Sequence, residues 1–257
     1  AAEAQRIAAQ GQREIVLTGI NTGDFGRTTG EPFIDLLRAL DRVEGIDRYR
    51  ISSIEPNLLT DEVIAFTAAS KRFQSHFHIP IQSGSDRILA LMRRRYNTAQ
   101  FADRIAAVRR AVPDVFLGID VIVGFPGETD EDFADTYRFL ERLAPAFLHV
   151  FPYSARPDTP AAGFPNRVPP PVAERRAAEL GALSERLHRA FYEKQVGTQA
   201  RVLWESTRRN GYMYGYTGNY VKVRTPFDRA LINTITPVKL TATDGEEVMD
   251  AAILSRE

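Results

Sequence analysis

The sequence contains no cysteine. Disulfides, thiolate nucleophiles and cysteine-ligated clusters are therefore excluded within these 257 residues. Histidine is scarce: His76, His78, His149 and His188 are the only four. None stands in an H-x-x-x-H or H-E-x-x-H pattern, so no metal-ligand set is expected. An excess of either charge is also missing, with Lys+Arg and Asp+Glu at 33 each. Bulk charge does not announce a nucleic-acid partner, although a balanced total can hide local basic patches. No apolar run reaches the roughly 18 residues of a membrane span. The first ten residues carry Glu3, Gln5 and Arg6 and lack the basic start and apolar centre of a signal peptide. A cytoplasmic protein with no membrane partner is expected.

What is present is an alternation of strand-like and helical runs up to about residue 152. A helix over AAEAQRIAAQ stops at Gly11, and EIVLTG (14–19) reads as a strand. Further strands are expected over 48–56, 76–84, 115–127 and 146–154, with helices between them. Thr60, Ser85, Thr98 and Thr129 read as helix N-caps. Repeated βα units imply parallel strands with crossover helices. The periodicity leaves two arrangements open, a partial barrel and a doubly wound open sheet. Because a helix comes first with no strand before it, the barrel reading expects the first strand to be missing.

The proline-rich stretch ARPDTPAAGFPNRVPPP (155–171) reads as a crossing loop, and a long charged helix follows it to Gly197. From Thr198 short alternating segments with frequent turns predict a small closed all-β barrel of about five strands, OB-like in size. The expected boundaries are residues 1–195 for the α/β part with its linker helix and 196–257 for the small barrel.

In parallel α/β folds ligands sit at the carboxyl ends of the strands. The residues there are Asn21, Thr22 and Gly23; Ser53 and Glu55; Gln82, Ser83 and Ser85; Asp120 to Glu128; and Tyr153, Ser154 and Arg156. Such a ring suits a polar ligand such as a nucleoside or amino acid, while strand-to-helix turns use Gly, Ser, Asn and Asp in any case. The LMRRRY run either complements a helix end or clamps an anionic group. Gly124 and Gly127 allow backbone to approach a ligand, but no lysine follows to make a phosphate loop. In the small barrel Tyr212, Tyr214, Tyr216 and Tyr220 interleave with Lys222 and Arg224. That pattern fits base stacking with phosphate contact, and equally the strand preference of tyrosine.

Taken in order, EIVLTGINTGDFG, RISSIEP, HIPIQSGSDRILALMRRRY, DVIVGFPGETDEDF and HVFPYSARPDTPAA resemble the radical S-adenosylmethionine (SAM) methylthiotransferases over nearly the whole chain. The C-terminal part resembles that family's RNA-binding TRAM domain. The resemblance implies a partial radical-SAM (β/α) barrel, SAM as cofactor, two [4Fe–4S] clusters, tRNA as partner and no DNA. The implied reaction adds a methylthio group to adenine C2. The I-E-P after R-I-S-S resembles the MtaB branch, which acts on N6-threonylcarbamoyladenosine beside the anticodon. An isopentenyladenosine-directed or ribosomal-protein-directed branch, or a non-catalytic RNA-binding piece, is the alternative. Cluster chemistry needs thiolates, so the family's cysteine loop is expected upstream of Ala1 and the chain alone is expected to be inactive. The resemblance assigns Asn21, Thr22 and Gly23 to the methionine amino group and Glu55, Gln82 and Ser83 to the ribose. It assigns Arg94 to the methionine carboxylate, Asp120, Val123, Gly124 and Phe125 to the adenine, and Tyr153, Ser154 and Arg156 to the substrate side. Tyr220, Lys222 and Arg224 are the expected RNA contacts of the small barrel. Arg95 receives no role.

Overall fold

Main-chain hydrogen bonds in this chain are organised by parallel strands whose exits are set by a few non-glycine residues in left-handed backbone. The computed structural model describes residues 1–157, 159–243 and 247–254. Asp158 of the proline-rich loop, and Glu246 and Ser255 of the last expected strand, lie outside the described residues.

The α/β part runs α1 (Ala2–Ala9), β1 (Glu14–Leu17), α2 (Phe33–Asp41), β2 (Arg48–Ile51), α3 (Asp61–Ala69), β3 (Phe73–His78), α4 (Asp86–Leu91), α5 (Thr98–Ala111), β4 (Phe116–Val123), α6 (Asp130–Leu143), β5 (Phe147–Pro152) and α7 (Pro170–Glu193). Thr60 and Ser85 cap as expected, accepting from the N–H groups of Val63 and Ile88. Thr129 forms a capping box with Asp132. The fourth cap is Asn97 rather than Thr98. Asn97 is still extended, accepts from Gln100 N at 2.8 Å and donates its own N–H to Gln100 Oε1 at 3.0 Å. A box starting at Thr98 would need a polar side chain at position 101, which is phenylalanine.

All five strands end earlier than expected, two of them by five residues or more. The strand expected over 48–56 stops at Ile51 because Ser53 turns at φ 57°. The strand expected over 76–84 instead covers Phe73–His78. Pro80 has no N–H to donate, and Gln82 at φ 73° keeps only an isolated bridge to Val121.

The sheet order is β1-β2-β3-β4-β5, with every neighbour parallel. A doubly wound sheet reverses its strand order at a switch point. This one does not, so the arrangement is the arc of a barrel. Alternation along each strand sends Tyr49, Ile51, Phe77, Leu117, Ile119, Val121 and Leu148 into the core under the helices. It leaves Glu14, Arg48, Arg50, His76, His78, Phe116, Asp120 and His149 on the opposite face, which a barrel turns inward.

The C-terminal part is a closed barrel in the order β10-β8-β7-β6-β9, built from β6 (Gln199–Arg209), β7 (Tyr212–Thr217), β8 (Lys222–Pro226), β9 (Ile235–Thr243) and β10 (Met249–Ile253). Val202, Trp204, Met213, Val223, Val238 and Leu240 fill it, and Trp204 Nε1 donates to Thr236 Oγ1 at 2.7 Å. The two parts are joined through arginines of β2. Arg48 donates to the carbonyls of Tyr216 and Arg201 at 2.8 and 2.7 Å. Arg50 donates to Gly218 O at 2.7 Å and Thr217 O at 2.8 Å, and pairs with Glu14 at 2.9 Å. Tyr220 sits under Arg50 and against His76 and Phe116.

Candidate functional site

The carboxyl ends of the five strands come together around three linked turns. In the first, Asn21 Oδ1 accepts from Glu55 N at 3.1 Å and Thr22 N donates to Ser53 O at 2.9 Å. The β1 and β2 exits are thus one unit. A Cβ on Gly23 would lie 2.7 Å from Leu58 Cβ, so close packing requires glycine there. Glu55 in turn reaches Arg94 Nη1 at 3.2 Å.

The second turn, after β3, is held from beneath. Gly84 N donates to Thr136 Oγ1 at 3.0 Å, and Ser85 Oγ donates to Asp132 at 2.7 Å. Ser83 is 1 % exposed and its hydroxyl lies against Thr136 at 3.4 Å. It is turned toward α6, away from the side where a ribose was expected. Gln82 keeps a half-buried side chain, and its carbonyl accepts from Ile122 N at 2.8 Å. A Cβ on Gly84 would lie 2.7 Å from Thr136 Cα. Gly84→Ala should therefore cost about 1–3 kcal/mol by overpacking. An unchanged urea midpoint would show that α6 yields freely.

The third turn follows β4. Val123 points into the core, and Gly124 at φ 77° packs against Ala173, with an added Cβ at 2.7 Å from the Ala173 Cβ. These two can offer a ligand only their main chain. Glu128 folds back to accept from Gly124 N at 3.0 Å and pairs with buried Arg176 at 2.5 Å. Burial pushes the Glu128 carboxyl up, against the opposing pull of the Gly124 N–H and Arg176. Phe125 stands edge-on to Tyr153 at 5.2 Å.

Arg94 and Tyr153 line one cavity of about 220 Å³ with Leu91, Met92, Phe125 and Phe164. Each brings a buried polar atom without a hydrogen-bond partner among the described residues, Arg94 Nε and Tyr153 Oη. A buried unpaired donor is costly, and these two, unlike those of Tyr49, His76 and Arg176, belong to residues that line this cavity. The volume is below the ~300 Å³ of an ordinary small-molecule site, so it takes one moiety of a ligand rather than the whole. Ser154 and Arg156 are exposed beyond it.

Asp120 is not at the strand exit. It lies within β4 on the inner face, with Oδ1 2.5 Å from His78 Nε2. His149 stacks on His78 at 4.7 Å. Deeper still, burial among Arg50, His78 and His149 pushes the His76 imidazole down to about 3, so it is neutral. Sequence spacing missed this cluster because its members come from three different strands.

On the small barrel, Lys222 lies over the Tyr214 ring at 5.8 Å, and Arg224 over Tyr212 at 5.2 Å while pairing with Asp250 at 2.7 Å. Tyr220, still 38 % exposed, reaches the junction with the sheet, where its ring stacks on Tyr216 at 4.9 Å and tilts against His76 at 4.6 Å.

Residues 1–140 match the radical SAM superfamily. Over 244 residues the chain is 42 % identical to the threonylcarbamoyladenosine tRNA methylthiotransferase MtaB of Bacillus subtilis, covering 93 % of this chain and 54 % of that protein. It is 39 % identical over 244 residues to the tRNA-2-methylthio-N(6)-dimethylallyladenosine synthase of Wolinella succinogenes, covering 93 % and 56 %. The same enzyme of Thermobifida fusca is 43 % identical over 204 residues, covering 79 % and 41 %. The chain thus spans about half the length of these relatives. Among solved structures, coproporphyrinogen III oxidase (HemN) of Escherichia coli, a radical SAM enzyme, superposes with a TM-score of 0.58 at 14 % identity, covering 99 % of this chain and 64 % of that one. The radical SAM methyltransferase TsrM of Kitasatospora setae gives 0.52 at 16 % identity over 63 % of this chain and 32 % of that one. At those identities the likeness concerns the fold alone. With a superfamily match over more than half its length and the parallel arc that goes with it, this chain belongs to the radical SAM superfamily.

Proposed function

We propose that the protein containing this chain is a tRNA methylthiotransferase that modifies C2 of an N6-substituted adenosine beside the anticodon, with N6-threonylcarbamoyladenosine as the substituted base. The observation that carries the reading is the union on one chain of two surfaces. One is a polar ring at the strand exits, with a buried unpaired Arg94 Nε–H. The other is a barrel face where cations lie over tyrosines. The first suits an amino-acid carboxylate, the second a base and its phosphate.

S-adenosylmethionine with a reduced [4Fe–4S] cluster would supply the radical chemistry of such a reaction. The chain has no cysteine, so its residues do not fit as ligands for either expected cluster. What they contribute is binding and orientation. Arg94, held by Glu55, would take the methionine carboxylate, while Asn21 and Glu55 fix the turn that faces the amino group. Gln82 would meet the ribose, and Phe125 with the main chain at Gly124 would flank the adenine. Tyr153, Ser154 and Arg156 line the approach of the tRNA base, with Lys222 and Arg224 on its phosphates. Removing the Arg94 guanidinium should weaken SAM binding by roughly 10- to 100-fold, the worth of one charge-assisted hydrogen bond. Calorimetric titration of Arg94→Ala beside wild type checks this. Equal affinities would remove Arg94 from the site.

Mass spectrometry of tRNA nucleosides decides the activity, from a host lacking its own methylthiotransferases and expressing the complete protein. Appearance of 2-methylthio-N6-threonylcarbamoyladenosine is the expected result, and failure to form any methylthio nucleoside would overturn the proposal. A second reading, the dimethylallyl-substituted base, is favoured by the 43 % identity to the Thermobifida fusca synthase. It would be recognised by the corresponding nucleoside.

A further inference from the structure

The inner face of the sheet carries a cluster that the roles proposed above leave unused, Asp120 lying within β4 and not at the strand exit where an adenine contact was expected. We propose that His78, Asp120 and His149 form a binding site for one divalent transition-metal ion of the zinc class. One ligand comes from each of β3, β4 and β5. The register puts His78 opposite Gly118 and Asp120 opposite His149, so the three side chains rise from neighbouring positions on one face. One donor atom from each lies within 4.8 Å of the other two.

Two imidazoles and one carboxylate make a donor set suited to zinc or ferrous iron, with a further coordination position left open. Ligand atoms about 2.0–2.2 Å from an ion stand roughly 3.3 Å from one another in a tetrahedral site. The His78 Nε2 to Asp120 Oδ1 separation of 2.5 Å would open by about 1 Å, and His149, whose donor atom lies within 4.8 Å of the other two, would close on them. The space for this is provided by Gly118. A Cβ there would lie 3.7 Å from His149 Nε2 and 3.9 Å from His78 Cγ, between the two rings.

The surroundings fix the ligands rather than leaving them mobile. All three stand on paired strands, and the Asp120 carbonyl accepts from Ile81 and Gln82 N–H groups at 3.1 and 3.0 Å. The His149 ring is braced edge-on by Phe147 at 4.8 Å, which in turn is braced by His188 at 5.5 Å. Below the cluster His76, Phe116 and Tyr220 form an aromatic floor. The His78 and Asp120 side chains keep 21 % and 19 % of their surface, enough for an ion to enter and too little for full hydration. The expectation from sequence was that four scattered histidines make no metal site. Spacing along the chain conceals the set, because parallel strands bring together residues separated by whole crossover helices.

The site is independent of the reaction proposed above, and its test reads metal alone. The chain, stripped with a chelator, is titrated with Co²⁺, followed by absorption and by elemental analysis. The absence of cysteine makes any visible band attributable to nitrogen and oxygen ligands. The expected result is one Co²⁺ per chain with the visible absorption of a low-coordinate site, displaced by one equivalent of Zn²⁺. His149→Ala and Asp120→Asn should each weaken binding by more than about tenfold. Asp120→Asn preserves shape, and its melting curve separates loss of metal from loss of fold. Absence of stoichiometric binding, or binding as tight as wild type by a folded Asp120→Asn or His149→Ala, would overturn the site and leave a hydrogen-bonded His–Asp pair.

Discussion

Replacing Arg50 by alanine should lower the melting temperature by roughly 10 °C and split a single unfolding transition into two. The guanidinium is 1 % exposed. It makes four hydrogen bonds, to both Glu14 carboxylate oxygens and to the carbonyls of Thr217 and Gly218. Removing it leaves two carbonyls without a donor and leaves the Glu14 carboxylate only the longer contact to Arg48 at 3.8 Å. Breaking one partner out of a buried pair costs about 3–5 kcal/mol, and each kcal/mol is worth roughly 2–4 °C in a chain of this size. The loss falls on the contact between the sheet and the small barrel, and each has its own core. Their unfolding should therefore separate. Arg50→Lys should recover little, since one ammonium cannot serve diverging acceptors. Arg50→Met with Glu14→Gln should recover more than Arg50→Met alone. Calorimetry that shows one unshifted transition for Arg50→Ala would dismiss the junction as a stabilising element.

The second large effect is expected at Asp132, which ties two of the three ligand-side turns together. Its carboxylate accepts from Thr129 N at 2.8 Å and Thr129 Oγ1 at 2.6 Å, from Ser85 Oγ at 2.7 Å, and from two nitrogens of Arg87. Asp132→Ala removes the capping box of α6 and leaves those donors unpaired. A loss of about 3–4 kcal/mol follows from the cap and one buried charge-assisted network. The same group shapes the acid limb of stability. Burial alone would raise its pKa, but hydrogen bonds from Arg87, Thr129 and Ser85 outweigh that and hold the carboxyl well below its usual range. A folded value below the unfolded one of about 3.9 gives stability that is fully present above that pH. It is lost as pH falls through the folded value. Asp132→Asn should thus be less stable than wild type at neutral pH and should lose less on acidification below about pH 4. Parallel acid limbs for the two proteins would contradict the assignment.

Much of this architecture can be read from short-range signals. Thr60, Ser85 and Thr129 each precede an apolar helical pattern and do cap a helix. Alternation after Thr198 corresponds to a closed five-strand barrel. The strand-exit ring follows from the parallel βα order, and Arg94 and Tyr153 line one cavity there, with Glu55 paired to Arg94. What escaped is non-local. Ser53 and Gln82 enter left-handed backbone because their turns must hydrogen-bond to neighbouring strands, and no local residue preference announces that. Ser83 looks from sequence like a ligand contact, but Thr136, more than fifty residues later, claims its hydroxyl. Tyr220 sits among basic and aromatic residues that fit RNA, yet its ring packs against His76 of another part of the chain. One signal was available and went unread. Arg48-Tyr49-Arg50-Ile51 alternates charge with bulk on a strand that lies between two neighbours in a parallel sheet. A central parallel strand is normally apolar on both faces. Two arginines on one face therefore required acceptors from elsewhere, and the small barrel provides them.

Those acceptors are all main-chain oxygens, at Arg201, Tyr216, Thr217 and Gly218. An arginine that reads carbonyls reads the path of a backbone and not the letters written along it. The loop that receives β2 can therefore change sequence, within its turn geometry, without loosening the joint. The consequence is a modular one. A foreign β-barrel that presents a turn of the same shape could be grafted onto this sheet, giving chimaeras in which the tyrosines and cations of the barrel face are exchanged while the strand-exit ring is left as it stands.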